Sequence, residues 1–166
     1  MKRILTISTL LISFIISSCN SNSTEKTLTK LESLRIAINE FNQHKPHKKT
    51  IDLSKLKGIF IIPNSGCDGC ISTAETFVID NYDAYDDLLI IFTRVSSLKS
   101  LKVRSNNGVI SSDLTIIDQQ NRFSLDSLNS VYPLVAFVKN STITSIEEQS
   151  PLNLGLLSKL TDHLSK

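Results

Sequence analysis

The sequence predicts an α/β domain in which helices flank a central mixed sheet. Three short apolar runs, rich in β-branched residues, have the length and composition of fully buried strands. Between these runs, apolar residues recur at steps of three and four, as they do in helices that cover a sheet. Buried strands that alternate with helices are typical of the α/β class. The three runs cover residues 58–63, 87–95 and 134–139.

Residues 1–18 predict a secretory signal peptide. A basic start, Met1-Lys2-Arg3, precedes an apolar stretch of 13 residues, Ile4 to Ile16. Such a stretch is shorter than the roughly 20 residues that span a bilayer. The small residues Ser17-Ser18 then precede Cys19, and this order resembles the bacterial lipobox. The resemblance implies cleavage before Cys19 and acylation of its thiol. The alternative is an ordinary signal peptide followed by a chance cysteine.

The mature chain is predicted to be one domain on a tether. Removal of 18 residues from 166 leaves 148, which is an ordinary size for a single domain. Residues 19–24 are small and polar and predict a flexible tether. Residues 25–49 predict an extra N-terminal amphipathic helix and a polar linker. We expect this helix to cover part of the core, with self-association as the alternative.

Residues 50–166 form the predicted main domain, and its elements follow in order. The predicted strands are 58–63, 87–95, 113–118, 134–139 and 142–146, and the predicted helices begin near Asp68, Ser97 and Pro151. The last helix has an apolar face, which includes Leu152. Residues 106–108 predict a turn. The formal charge of +2 includes Lys2 and Arg3, so the mature chain is near neutral and gives no indication of nucleic-acid binding.

Cys67 and Cys70 are the candidate chemical site. If Cys19 carries lipid, they are the two remaining cysteines of a chain predicted to be exported, and disulfides persist outside the cytoplasm. They lie where a buried strand turns into a helix. The helix N-terminus favours the thiolate of an exposed Cys67, which would be the attacking group. Asp68 opposes this effect. Cys70, one turn further on, would be more buried and would resolve the mixed disulfide.

This arrangement resembles thioredoxin-like thiol–disulfide oxidoreductases, and it is most similar to the membrane-anchored TlpA/ResA-like branch. The resemblance covers residues 50–165. It implies a thioredoxin-like fold, an extra helix and strand within residues 97–118, and a substrate-binding site at Tyr132 and Pro133. Pro133 is then expected in a cis peptide bond close to the cysteines. The resemblance also implies protein thiol or disulfide substrates, a redox partner protein and no dissociable cofactor.

Two departures from the family argue against strong general reductase activity. Gly66 stands where the family has tryptophan, and residues 59–62 lack the buried acid found in many members. An alternative from another functional class is a non-catalytic lipoprotein, a binding or assembly module in which the cysteines form a permanent disulfide. No metal site is predicted, because two thiols do not complete a tetrahedral shell and His163 is expected on the surface. The expected location is the cell envelope, lipid-anchored to a membrane and facing the periplasm.

Overall fold

The computed structural model describes residues 29–44, 49–124 and 126–166. The predicted signal peptide, the tether and Cys19 lie outside these residues. Five helices and five strands follow along the described chain: α1 (Lys30–Gln43), β1 (Gly58–Pro63), α2 (Asp68–Asn81), β2 (Leu88–Thr93), α3 (Leu98–Ser105), α4 (Asn107–Ser111), β3 (Thr115–Asp118), β4 (Leu134–Lys139), β5 (Thr142–Glu148) and α5 (Leu156–Leu164). Short 3-10 helices occupy Leu53–Lys55 and Asp126–Leu128.

The strands form one mixed sheet in the order β3-β2-β1-β4-β5. The strands β1, β2 and β3 run parallel, while β4 is antiparallel to both β1 and β5. The α/β class and the central mixed sheet are therefore confirmed. The bounds of β1 and β4 are as predicted, whereas β2 and β3 are shorter and β5 extends to Glu148.

Helices cover both faces of the sheet, which explains why the central strands read as unbroken apolar runs. Along β1, Ile59 and Ile61 face the core beneath α1, and Phe60 and Ile62 face the core beneath the other helices. All six residues of β1 are buried. The second core layer is contributed by α2, α3, α4 and α5.

The N-terminal helix α1 packs on the sheet, as expected. A capping box between Thr29 and Glu32 starts it, because each side chain accepts the other's backbone N–H. Its apolar stripe is buried, and Phe41 packs against Phe123 with ring centroids 5.9 Å apart. These contacts make α1 part of the domain core.

The last helix begins later than predicted, at Leu156. The Asn153 side-chain amide donates to the Glu148 carbonyl oxygen at 3.2 Å, and the Leu156 N–H donates to the Asn153 carbonyl oxygen at 3.3 Å. These bonds shape residues 151–155 into a turn. Leu152 is consequently 99% exposed, and its predicted place on the apolar face of the helix is wrong.

The segment 97–118 supplies the expected additional helix and strand, but it also contains a second short helix. The predicted turn at 106–108 runs into α4, which Asn106 starts with a left-handed φ of 64° and a side-chain oxygen that accepts from the Gly108 N–H. Both α3 and α4 contribute to the core, through Leu101 and Val109.

His163, which was expected on the surface, is partly exposed. Its ring is partly buried against Phe137, with centroids 5.2 Å apart, and its Nε2 atom lies 3.1 Å from the carbonyl oxygens of Lys57 and Val138. Lys57 precedes β1, so this histidine lies at the opposite end of the sheet from the cysteines, which follow β1.

Candidate functional site

The cysteines lie at one end of the strands, where β1, β2 and β5 end and β4 begins. We call this the cysteine edge and define it by residues 64–67, 94–97, 129–133 and 149–155. The strand directions place these four segments together, because β5 runs in the same direction as β1 while β4 runs against both.

Cys67 is the N-cap of α2 and is partly exposed. Its carbonyl oxygen accepts the Ile71 N–H at 2.9 Å, which closes the first helical turn. Its side chain makes no capping hydrogen bond, so it does not occupy the N–H groups of the first turn. The sulfur therefore lies at the positive end of a helix of 14 residues.

Cys70 is one turn further along α2 and is 9% exposed. Both cysteines are free thiols. Burial, a hydrogen bond to Cys67 and the charge of Cys67 together raise the pKa of the Cys70 thiol to about 11. Cys70 therefore keeps its proton at neutral pH. The two sulfurs thus differ in exposure, with Cys67 partly exposed and Cys70 buried.

Gly66 brings the loop before β4 against the cysteine loop. A Cβ atom at this position would lie 2.3 Å from the Val131 carbonyl oxygen, and the φ of Gly66 is +151°. Both facts require glycine. The same carbonyl oxygen accepts the Cys67 N–H at 2.8 Å. The Val131 backbone therefore lies where a side chain at position 66 would project.

Tyr132 and Pro133 lie next to this contact, but the expected cis peptide bond is absent. No peptide bond among the described residues is cis, so Pro133 is trans. The trans form is the more stable one for an X–Pro bond by about 0.5–1 kcal/mol. The loop reaches the cysteines without a cis turn, because the Tyr132 N–H donates to the Ser130 hydroxyl at 3.0 Å. Tyr132 is partly exposed, and Pro133 is buried.

Arg94 joins the two loops of the site, and the sequence analysis missed it. Its guanidinium donates to the Ser65 carbonyl oxygen of the cysteine loop and, at 2.8 Å, to the Ser130 carbonyl oxygen of the loop before β4. It also donates to the Asn129 side chain at 2.9 Å. The sequence did offer one indication of its role, because Arg94 is a charged residue directly after a buried strand, at the edge where the cysteines lie.

A second polar cluster connects α2 to α3 beside the cysteine edge. Glu75, which is 7% exposed, accepts bonds of 3.1–3.3 Å from the Arg104 guanidinium. Arg104 also donates to the Asn64 side chain at 2.5 Å. Asn64 directly follows β1. The buried carboxylate is thus neutralised within the fold, and its guanidinium partner holds the start of the cysteine loop.

The described residues contain no group of three or more His, Cys, Asp or Glu side chains that could hold a metal ion. A cavity of about 440 Å³ lies at the β3 edge of the sheet, between Phe41 and Arg122, and contains neither cysteine. Over the part of the chain that the structure describes, no helix has the length and apolarity needed to cross a bilayer.

Comparisons with protein-family models, with curated proteins and with solved structures find no significant match to this chain.

Proposed function

We propose that this chain is a thioredoxin-like thiol–disulfide oxidoreductase that is lipid-anchored outside the cytoplasm and acts through Cys67 and Cys70. One observation carries the proposal. A partly exposed cysteine opens a long helix, and a buried, protonated cysteine one turn away donates a hydrogen bond to it. The sheet order and the cysteine position are compatible with the thioredoxin-like fold.

The reaction moves two electrons between the pair and a protein disulfide. The Cys67 thiolate attacks one sulfur of the substrate disulfide, which forms a mixed disulfide and releases a substrate thiolate. Cys70 then loses its proton and attacks the Cys67 sulfur. The substrate leaves as a dithiol, and the Cys67–Cys70 disulfide holds the oxidised state. The reverse sequence oxidises a substrate dithiol.

The environment of Cys70 supports this order of events. Two of the causes that raise the pKa of Cys70, the hydrogen bond that its thiol donates to Cys67 and the charge of Cys67, operate in the reduced pair. Both are lost when Cys67 enters a mixed disulfide, and only burial then opposes ionisation. Cys70 is thus inactive while Cys67 is free and becomes a better nucleophile once the substrate is attached.

Different roles are proposed for Tyr132 and Pro133. Tyr132 is partly exposed beside the cysteine loop, so we assign it a direct substrate contact. Pro133 is buried, and its carbonyl oxygen accepts the Gln149 N–H at 2.8 Å, so we assign it a positioning role. The trans bond at Pro133 counts against the resemblance and against a substrate role for this residue, because the resemblance implied a cis bond there.

The lipid anchor is proposed from the sequence of residues 1–19. The protein should fractionate with membranes and incorporate labelled fatty acid, and a Cys19→Ala variant should lose both properties. A wild-type protein that is soluble and unlabelled would contradict the lipid anchor. It would not bear on the redox proposal.

Trapping tests the redox proposal. A Cys70→Ser variant should accumulate mixed disulfides with substrate proteins through Cys67, because the resolving thiol is missing. The matched control is Cys67→Ser, which keeps one thiol of the pair but places it in the buried position. Equal trapping by both variants, or by neither, would contradict the assigned roles and favour the non-catalytic module.

A further inference from the structure

Exposed apolar side chains concentrate at the cysteine edge. Five large apolar residues among the described positions are markedly exposed: Ile36, Val103, Val131, Leu152 and Leu154. The last three belong to the cysteine edge. Leu152 is 99% exposed and Leu154 is 79% exposed, so both leucines protrude from the turn between β5 and α5. A group of protruding apolar side chains marks a site that contacts a membrane or another protein.

The N-terminus of α1 leaves the domain at this same edge. Lys30, the first residue of α1, forms an ion pair with Glu148, the last residue of β5. At the other end of α1, Asn42 exchanges hydrogen bonds with the backbone of Ile51, which precedes β1. The helix therefore runs from the cysteine edge towards the opposite edge.

The length of chain before α1 limits how far the domain can move from its anchor. Ten residue steps separate Cys19 from Thr29, and an extended chain of that length spans at most about 35 Å. The opposite edge of the sheet lies one strand length further from the tether, about 20 Å for six residues. A tether from Cys19 thus attaches to the domain at the cysteine edge, and it is long enough for that edge to lie against the lipid.

We propose that the turn carrying Leu152 and Leu154 inserts into the surface of the bilayer that holds the lipid anchor, with Cys67 facing that membrane. This inference depends on the lipid anchor of the proposed function. It also specifies the substrates, which are the thiols or disulfides of membrane-bound proteins close to the bilayer surface. The apolar face of an interfacial helix lies about 5–10 Å deep, at the boundary between headgroups and acyl chains, and we expect the two leucine side chains to reach the same boundary.

The chain contains no tryptophan, so one introduced tryptophan is a unique probe. Leu152→Trp and Leu154→Trp variants of the full, lipid-modified protein would be reconstituted in phosphatidylethanolamine–phosphatidylglycerol vesicles. The vesicles would contain lipids brominated on the acyl-chain carbons nearest the headgroup. The matched control is Thr142→Trp, at an exposed position of the opposite edge. We expect blue-shifted emission and bromine quenching for both leucine positions and neither effect for the control.

Vesicle flotation separates the possible failures. If the protein floats with the vesicles but the probes at 152 and 154 are quenched no more than the control, the proposed orientation is overturned while the anchor stands. If the protein does not float, both the anchor and this inference are overturned. The redox proposal is tested independently, because quenching does not require a reactive cysteine pair.

Discussion

Replacement of Gly66 by alanine should destabilise the domain at the contact between the two loops of the site. The φ of +151° is costly for any residue with a Cβ, and such strain costs about 1–3 kcal/mol. The new Cβ would also lie 2.3 Å from the Val131 carbonyl oxygen. The loop must therefore move and lose the Cys67 N–H bond to that oxygen, which is worth about 0.5–1.5 kcal/mol. We expect a total loss of about 2–4 kcal/mol.

Gly69→Ala is the matched control, since it lies in the same motif. No atom lies within 4 Å of its added Cβ, and alanine in a helix is favoured over glycine by up to about 1 kcal/mol. Urea unfolding of both variants gives the comparison. With a slope near 2 kcal/mol/M, the Gly66→Ala midpoint should fall by about 1–2 M, whereas the control should be unchanged or stabilised. If the Gly66 variant were as stable as the control, the described loop contact would be refuted.

Three further predictions concern the charges and thiols of the site. Arg94→Met should reduce the free energy of unfolding by about 2 kcal/mol, because three acceptors lose a charged donor, and Arg94→Lys should be intermediate. A urea midpoint equal to that of wild type would contradict the role of Arg94 in joining the two loops. In the reduced protein, Cys67 should be alkylated faster than Cys70, whose labelling should rise only as the pH approaches its pKa of about 11; a pH series with mass spectrometry locates the label, and equal rates would contradict the assignment. The hydrogen bond from Lys30 lowers the pKa of Glu148 below its ordinary 4.5, so its stabilising effect is present above pH 4.5 and is lost as the pH falls. In urea unfolding, wild type should be more stable than Lys30→Met at pH 7, and this difference should shrink as the pH falls below 4.5. A difference that stays constant across the acid range would exclude the ion pair as its source.

The strands were predictable because their determinants are local. The run from Gly58 to Pro63 is a continuous apolar segment that ends in residues which stop strands, and the structure reproduces its bounds. The start of α5 was not predictable in the same way. Ser150-Pro151 is a valid helix start, but the bond from Asn153 to the Glu148 carbonyl oxygen holds that segment in a turn, and this contact depends on where β5 ends.

The site was predictable in part for the same reason. The location of Cys67 and Cys70 at a strand–helix junction follows from neighbouring residues. The contacts of Arg94 do not, because its partners are backbone carbonyls 29 and 36 positions away along the chain. A carbonyl oxygen has no residue-specific pattern in a sequence. In the sequence, Gly66 was noted only because the resembling family has tryptophan at this position. The requirement for glycine comes from the approach of the Val131 backbone, which depends on how the two loops are placed together.

The reduction potential of the Cys67–Cys70 pair distinguishes a redox-active pair from a permanent disulfide. The full protein would be equilibrated in thiol–disulfide buffers of graded potential, and the free thiols would be counted by mass after alkylation. A catalytic pair should titrate between about −120 and −270 mV, whereas a structural disulfide lies below about −300 mV. We expect a value in the catalytic range. A value below the structural limit would contradict redox catalysis and favour a permanent disulfide in a non-catalytic module.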